Sequence, residues 1–408
     1  MKKILIAIVC AAFPILLQAA RVGVCPPDSL VHLLDSFADV MGQKLNGTML
    51  VAHYDTILEE RAFGYRELYH NGTGYDSSVT THLDQYRNAP ENAMTPQTLF
   101  ELASVSKQFT AAAVLKLCCE GKMSLTDYLG KYLPDFPYTG ITIRHLLSHT
   151  SGLPEYFDFP YAYYDSVRFV NNARLVKVLQ KYHPAKKFST GSQFAYCNTN
   201  YALLAYIVAQ VSGMPFEQYV HEYIFKPAGM QNTFFVTELA NMTDDDFTVP
   251  CVGPKVLHVP VQIRQDLTTV PVARGHWNSG VRTNYDRLNG VLGDKGIYSN
   301  VEDLMRWTNA YFVEYKIIPK EWVDQASERE NKLSTGKLAK QIYGYGLRIE
   351  MSPEYGKLIY HGGLWNGFHN VWLFRPDDGY QIIFLSNYYN HAHAGKSNLI
   401  FSIIDQFK

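Results

Sequence analysis

Residues 100–110 read Phe100-Glu101-Leu102-Ala103-Ser104-Val105-Ser106-Lys107-Gln108-Phe109-Thr110, and the run continues as Ala111-Ala112-Ala113-Val114-Leu115-Lys116-Leu117-Cys118-Cys119-Glu120-Gly121. The continuation is apolar on nearly every side of a helix and stops at a glycine. A helix that is apolar all round is a buried one, and Gly just past the last turn is a usual stop signal. The stretch therefore predicts a buried central helix with Ser104 and Lys107 in its first turn. Three residues apart, the two side chains share a face. A serine hydroxyl is a weak nucleophile until a neighbouring base takes its proton. Lysine can be that base when burial and the positive helix N-terminus lower its pKa. By itself S-x-x-K fits a surface helix start better, with Ser as cap and Lys in water, so the rest of the chain has to decide.

The chain has 408 residues, 47% hydrophobic and 18% charged, with a formal net charge of −1. That is an ordinary globular composition, long enough for a large core and two subdomains. A charge near zero and the lack of a basic run argue against a nucleic-acid partner. The 29 Tyr and 22 Phe suit grooves for sugars or peptides, and equally plain core packing.

Met1-Lys2-Lys3, an apolar run over residues 4–17 and Gln18-Ala19-Ala20 describe a secretory signal peptide, cleaved after Ala20. The mature chain is then exported, periplasmic or extracellular. Ala7-Ile8-Val9 before Cys10 lacks the small residue a lipoprotein signal places beside its cysteine, which argues against a lipid anchor. No other run is long and apolar enough for a membrane helix. Cys10 goes with the signal. The remaining Cys25, Cys118, Cys119, Cys197 and Cys251 are odd in number and irregular in spacing, so they form no disulfide framework. One bridge is open to them, and Cys118 and Cys119 read as buried thiols. No C-x-x-C pair points to zinc.

Leu30, Leu33, Leu34, Phe37, Val40 and Met41 have helical spacing. Residues 47–54 and 56–65 read as two strands about a tight turn at Asp55, and the polar residues 66–95 as a loop. Residues 141–154 suggest a short helix closed by Gly152 and Pro154. His145 and His149, four apart, could face one way there, but a metal needs a third ligand that the sequence does not offer. The next hundred residues continue helical, most clearly over 203–213. Residues 251–290 are irregular and polar. Strands return over 343–349, 358–363, 370–375 and 380–387 as an antiparallel meander, and 396–407 closes the chain as a helix. The expected fold is α/β of the α+β kind: an antiparallel sheet flanked by helices and built from both termini, with an inserted, mostly helical subdomain. The signal occupies 1–20 and the main domain 21–408, its α/β part about 21–100 and 290–408 and its helical part about 104–290.

Three motifs now stand in order: Ser104-Val105-Ser106-Lys107, Tyr196-Cys197-Asn198 and His361-Gly362-Gly363. With residues 144–153 and 293–304 they resemble the serine β-lactamase and penicillin-binding-protein superfamily, in its class C β-lactamase, DD-peptidase and esterase branch. The resemblance spans roughly residues 30 to 400, and S-x-x-K is a signature of penicillin-interacting enzymes. It implies that Ser104 attacks a carbonyl and forms an acyl-enzyme, with Lys107 taking its proton. Tyr196, near cations and with a lowered phenol pKa, would shuttle protons to the leaving group and from the deacylating water. Asn198 would hydrogen-bond the substrate amide or Lys107. The backbone N–H groups of Ser104 and Leu364 would form the oxyanion hole, with His361 and Gly363 lining the substrate strand.

The third motif departs from the K-T-G usual in penicillin-binding enzymes. A histidine is only partly charged near neutrality, and Gly362 has no hydroxyl, so two groups that help hold a substrate carboxylate are missing. This counts against a β-lactamase proper, while Gly362-Gly363 allows close backbone approach. The expected activity is a secreted serine hydrolase acting through a Ser acyl-enzyme on a small amide, peptide or ester of the cell-wall kind. A carboxylesterase on the same scaffold, and a catalytically silent protein that binds cell-wall fragments, are the competing readings. No cofactor motif and no metal cluster are visible.

Overall fold

The computed structural model describes residues 28–41, 46–67, 90–164, 170–238, 271–276, 283, 286–328, 342–389, 400 and 402–403. The expected signal peptide, Cys25, Cys251 and most of the polar stretch 251–290 lie outside these residues.

Ten strands are described: β1 (Gly47–His53), β2 (Thr56–Phe63), β3 (Phe100–Glu101), β4 (Phe234–Phe235), β5 (Ile297–Ser299), β6 (Ile342–Tyr343), β7 (Arg348–Ser352), β8 (Gly356–Trp365), β9 (Phe368–Phe374) and β10 (Tyr380–Ser386). Seven form one antiparallel sheet in the order β2-β1-β10-β9-β8-β7-β6. The N-terminal hairpin and the C-terminal meander thus share a sheet, joined where Gly47 to His53 pair with Ser386 to Tyr380.

Both faces of the central strands are covered, which is why β1 and β10 read as unbroken apolar runs. Successive side chains point to opposite faces. Met49, Val51, Ile382 and Phe384 pack with Leu30 and Leu34 of the N-terminal helix α1 (Asp28–Met41) and with Ile400 and Ile403. Leu50, Ala52, Ile383 and Leu385 face the main core. Of the expected closing helix 396–407, residues 400, 402 and 403 are described, and they are helical.

The main core holds α2 (Lys107–Cys119), buried at every position except Lys116 and Cys119. It packs on α5 (Asn198–Ser212), with α3 (Ile143–Leu147) and α4 (Asn172–Tyr182) also against α5. Each Leu or Val fully buried here contributes about 1.5–3 kcal/mol. The stop signals act as read: Gly121 has φ +69° and Gly213 φ +70°.

Three local expectations need correction. Ser104 precedes α2, in a 3₁₀ turn over Ala103–Ser106. The turn begins at Ala103 in the left-handed region, with φ +51°, so the chain enters the helix at an angle that sequence periodicity does not encode. The expected strand 343–349 is two strands, β6 and β7. Its interruption brings Gly346, φ +72°, against the main chain of α2, where a Cβ would lie 2.7 Å from the Lys107 carbonyl oxygen. His149 lies beyond the end of α3 with φ +57°, so His145 and His149 do not share a helical face.

Candidate active site

A second, small sheet in the order β3-β5-β4 places the Ser104 turn. Phe100 and Glu101 pair with Ser299 and Tyr298, and the Leu102 N–H donates to the Ile297 carbonyl at 2.8 Å. From the other side, the Asn370 amide of β9 donates to the Glu101 carbonyl at 2.7 Å. The turn is therefore held between two sheets.

Lys107 is wholly buried. Its ammonium donates to Ser104 Oγ at 3.0 Å, Asn198 Oδ1 at 2.7 Å and the Asp294 carbonyl at 2.9 Å. Burial lowers its pKa to about 8, against the opposing pull of Asp294 and Glu155. Once neutral, the amine keeps two N–H groups on the Asn198 and Asp294 oxygens. Its lone pair is then left facing Ser104, the geometry a base needs to take the serine proton.

Asn198 opens α5, and the aromatic before it is held by a residue on another segment. The His149 carbonyl accepts from the Ala195 N–H, and His149 Nδ1 accepts from the Cys197 N–H, both at 3.1 Å. Tyr196 is thus bracketed, with its ring 4.4 Å from the imidazole. Accepting at Nδ1 puts the His149 proton on Nε2, and burial holds the ring well below its ordinary pKa. Tyr196 stands beside the Lys107 ammonium, 4.9 Å from its ring centre, and the Arg348 guanidinium, at 5.3 Å. The expected lowering of its phenol pKa does not follow. Burial pushes the pKa up by more than Ser104 and Arg348 pull it down. The hydroxyl is buried and makes no well-formed hydrogen bond among the described residues.

His361 also differs from its expectation. It is buried, with Nε2 3.0 Å from the Tyr343 hydroxyl and Nδ1 2.7 Å from the Gly362 carbonyl. Burial and the Arg348 and Lys107 charges hold it well below the usual histidine pKa. It is a neutral hydrogen-bonding ring rather than a partly charged one. β7 pairs with β8 only as far as Tyr360, so the segment from His361 to Trp365 pairs with β9 alone. Within it Gly363 lies on the Leu102 carbonyl, while Leu364 is exposed.

Structure thus gathers Ser104, Lys107, Tyr196, Asn198, His361 and Gly363 about one point. Three participants escaped the sequence reading. Glu155 follows the Gly152-Leu153-Pro154 turn directly, where a carboxylate one residue past a quoted motif was the available signal. Tyr343 and Arg348 carried none, since an aromatic and an arginine in strands look like packing and surface. His145 sits elsewhere, in a capping box with Thr142. Among the described residues no group of three or more His, Cys, Asp or Glu could hold a metal ion, and Cys118, Cys119 and Cys197 are free thiols.

The Beta-lactamase family profile matches residues 50–402. Penicillin-binding protein 4* of Bacillus subtilis (strain 168) is 30% identical over 362 residues, covering 87% of this chain and 71% of its own. A putative D-alanyl-D-alanine carboxypeptidase of Salmonella agona (strain SL483) is 24% identical, covering 85% and 79%. The crystal structure of a penicillin binding protein from Bacillus halodurans superposes with a TM-score of 0.67 at 23% identity, over 91% of this chain and 98% of that one. The chain belongs to the beta-lactamase family and is a serine hydrolase with a penicillin-binding-protein fold.

Proposed function

We propose that this chain is an exported hydrolase in which Ser104 is acylated by a short peptide or amide of the cell-wall type. Lys107 takes the Ser104 proton, and Tyr196, protonated, donates to the leaving group and regains a proton from the Lys107 ammonium beside it. The observation that carries this reading is the buried Lys107 amine 3.0 Å from Ser104 Oγ, with its other hydrogens held by fixed acceptors. The likeness to a putative D-alanyl-D-alanine carboxypeptidase supports the substrate class. Arg348, half-buried beside Tyr196, places a positive charge at the site for an anionic substrate group. The backbone N–H groups of Ser104 and Leu364 receive the oxyanion.

Esterase activity is the second reading. It is favoured by the neutral His361 and by Gly362, which leave this strand without the lysine and hydroxyl that grip a carboxylate.

The test is intact mass of the protein after penicillin, beside turnover of a D-Ala-D-Ala peptide and of p-nitrophenyl acetate, with Ser104→Ala as control. A penicillin adduct or peptide cleavage that Ser104→Ala abolishes is expected. Ester hydrolysis alone would move the assignment to the esterase, and activity retained by Ser104→Ala would end both. The mature protein recovered outside the cytoplasm should start after Ala20, and a chain retaining Met1 inside the cell would refute export.

A further inference from the structure

Glu155 belongs to none of the three motifs, yet its carboxylate touches one of them twice. Oε2 accepts from the Asn198 main-chain N–H at 2.8 Å and from the Asn198 side-chain amide at 3.0 Å. Resting on the acyl-transfer reading above, we propose that Glu155 is a positioning residue that locks the Asn198 amide so that its oxygen faces Lys107.

A primary amide fits its site in two orientations that exchange oxygen and nitrogen. In the observed one, the Lys107 ammonium donates to Oδ1 at 2.7 Å and the amide nitrogen donates to the carboxylate. Both hydrogen bonds are charge-assisted and correspondingly strong. Turning the amide over would set its NH₂ against an ammonium and its oxygen against a carboxylate, two repulsive contacts in place of two attractive ones. The Glu155 charge therefore selects the orientation. It also supplies the cap that α5 lacks, since Cys197 makes no side-chain cap, and an anion at a helix N-terminus is favourable.

The segment that carries the carboxylate is itself fixed. The Tyr156 N–H donates to Thr199 Oγ1 at 2.9 Å, and the Thr199 hydroxyl donates to the Pro154 carbonyl at 2.6 Å. This stitches the segment around Glu155 to the first turn of α5. The consequence reaches the base through Asn198. With Oδ1 in place, one N–H of Lys107 is held away from Ser104 and the lone pair is aimed. With the amide turned, Lys107 loses that acceptor and its aim.

The experiment measures the rate at which Ser104 is phosphorylated by diisopropyl fluorophosphate, read by mass between pH 6 and 10. The proteins are wild type, Glu155→Gln, Glu155→Asp, Asn198→Ala and Glu155→Gln/Asn198→Ala, with the folded state checked by thermal melting. Glu155→Gln should lower the plateau rate tenfold or more and move the rising limb to lower pH, because a negative charge that favours the lysinium is gone. Glu155→Asp should restore most of the plateau. In the Asn198→Ala background the same Gln substitution should change the plateau less than twofold, because the route to Lys107 is already cut. An equal loss in both backgrounds, or a wild-type plateau and limb in Glu155→Gln, would overturn the proposal while leaving Ser104 labelling intact. Labelling absent from the wild type, or surviving in Ser104→Ala, would instead overturn the acyl-transfer reading on which it rests.

Discussion

The Cα of Gly363 lies directly on the main chain of Leu102: a Cβ there would come within 2.1 Å of the Leu102 carbonyl oxygen and 3.3 Å of Ala103 Cβ. β8 and the turn carrying Ser104 are therefore in backbone contact, and any side chain at 363 must separate them. A displacement of about 1 Å can cost on the order of 100-fold in rate. Gly363→Ala should lower kcat/KM by about that factor while the protein stays folded, measured by steady-state kinetics beside thermal melting. Near-wild-type kinetics would mean that β8 and the turn need not touch.

The Lys107 amine has its pKa lowered to about 8 by burial. With its neutral form as the base of the proposed mechanism, kcat/KM should rise about tenfold per pH unit below that value and level off above it. The phenol of Tyr196, raised by burial, stays protonated through the same range and adds no limb there. A rate that is flat between pH 6 and 8 would remove Lys107 from the role of base.

Glu101 is buried, and burial raises its pKa to about 8 against the pull of Lys295 and Tyr298. The folded-state pKa is thus above the unfolded one, so folding keeps a proton that the unfolded chain releases. The stability this group contributes is fully present below about pH 4.5 and is lost as pH rises through about 8. Glu101→Gln should leave the melting temperature nearly unchanged at pH 5 and raise it at pH 9. An equal difference at both values would show that Glu101 titrates normally.

The hydrophobic pattern carried most of the architecture. Residues 107–119 are apolar on nearly every face and read as a buried helix. Residues 47–51 and 380–385 are strands with both faces covered, and the glycines at 121 and 213 end helices because they alone enter the left-handed region freely. Spacing also paired Ser104 with Lys107, since a single helical turn forces the two together. These are short-range consequences of backbone geometry, readable wherever they fall in a chain.

Protonation and orientation were decided elsewhere. Tyr196 looked activated beside cations, but its burial outweighs them. His361 looked half-charged, but burial and the Arg348 charge make it neutral. His149, which brackets Tyr196 by accepting from Ala195 and Cys197, acquires that place only because two distant segments cross. The same holds for Glu155, Tyr343 and Arg348. The residue types, the three-residue spacing of Ser104 and Lys107, and the buried helix that starts at Lys107 were determined by sequence. What each group can do was decided by tertiary structure, because desolvation and through-space charge depend on what surrounds an atom and not on its neighbours along the chain.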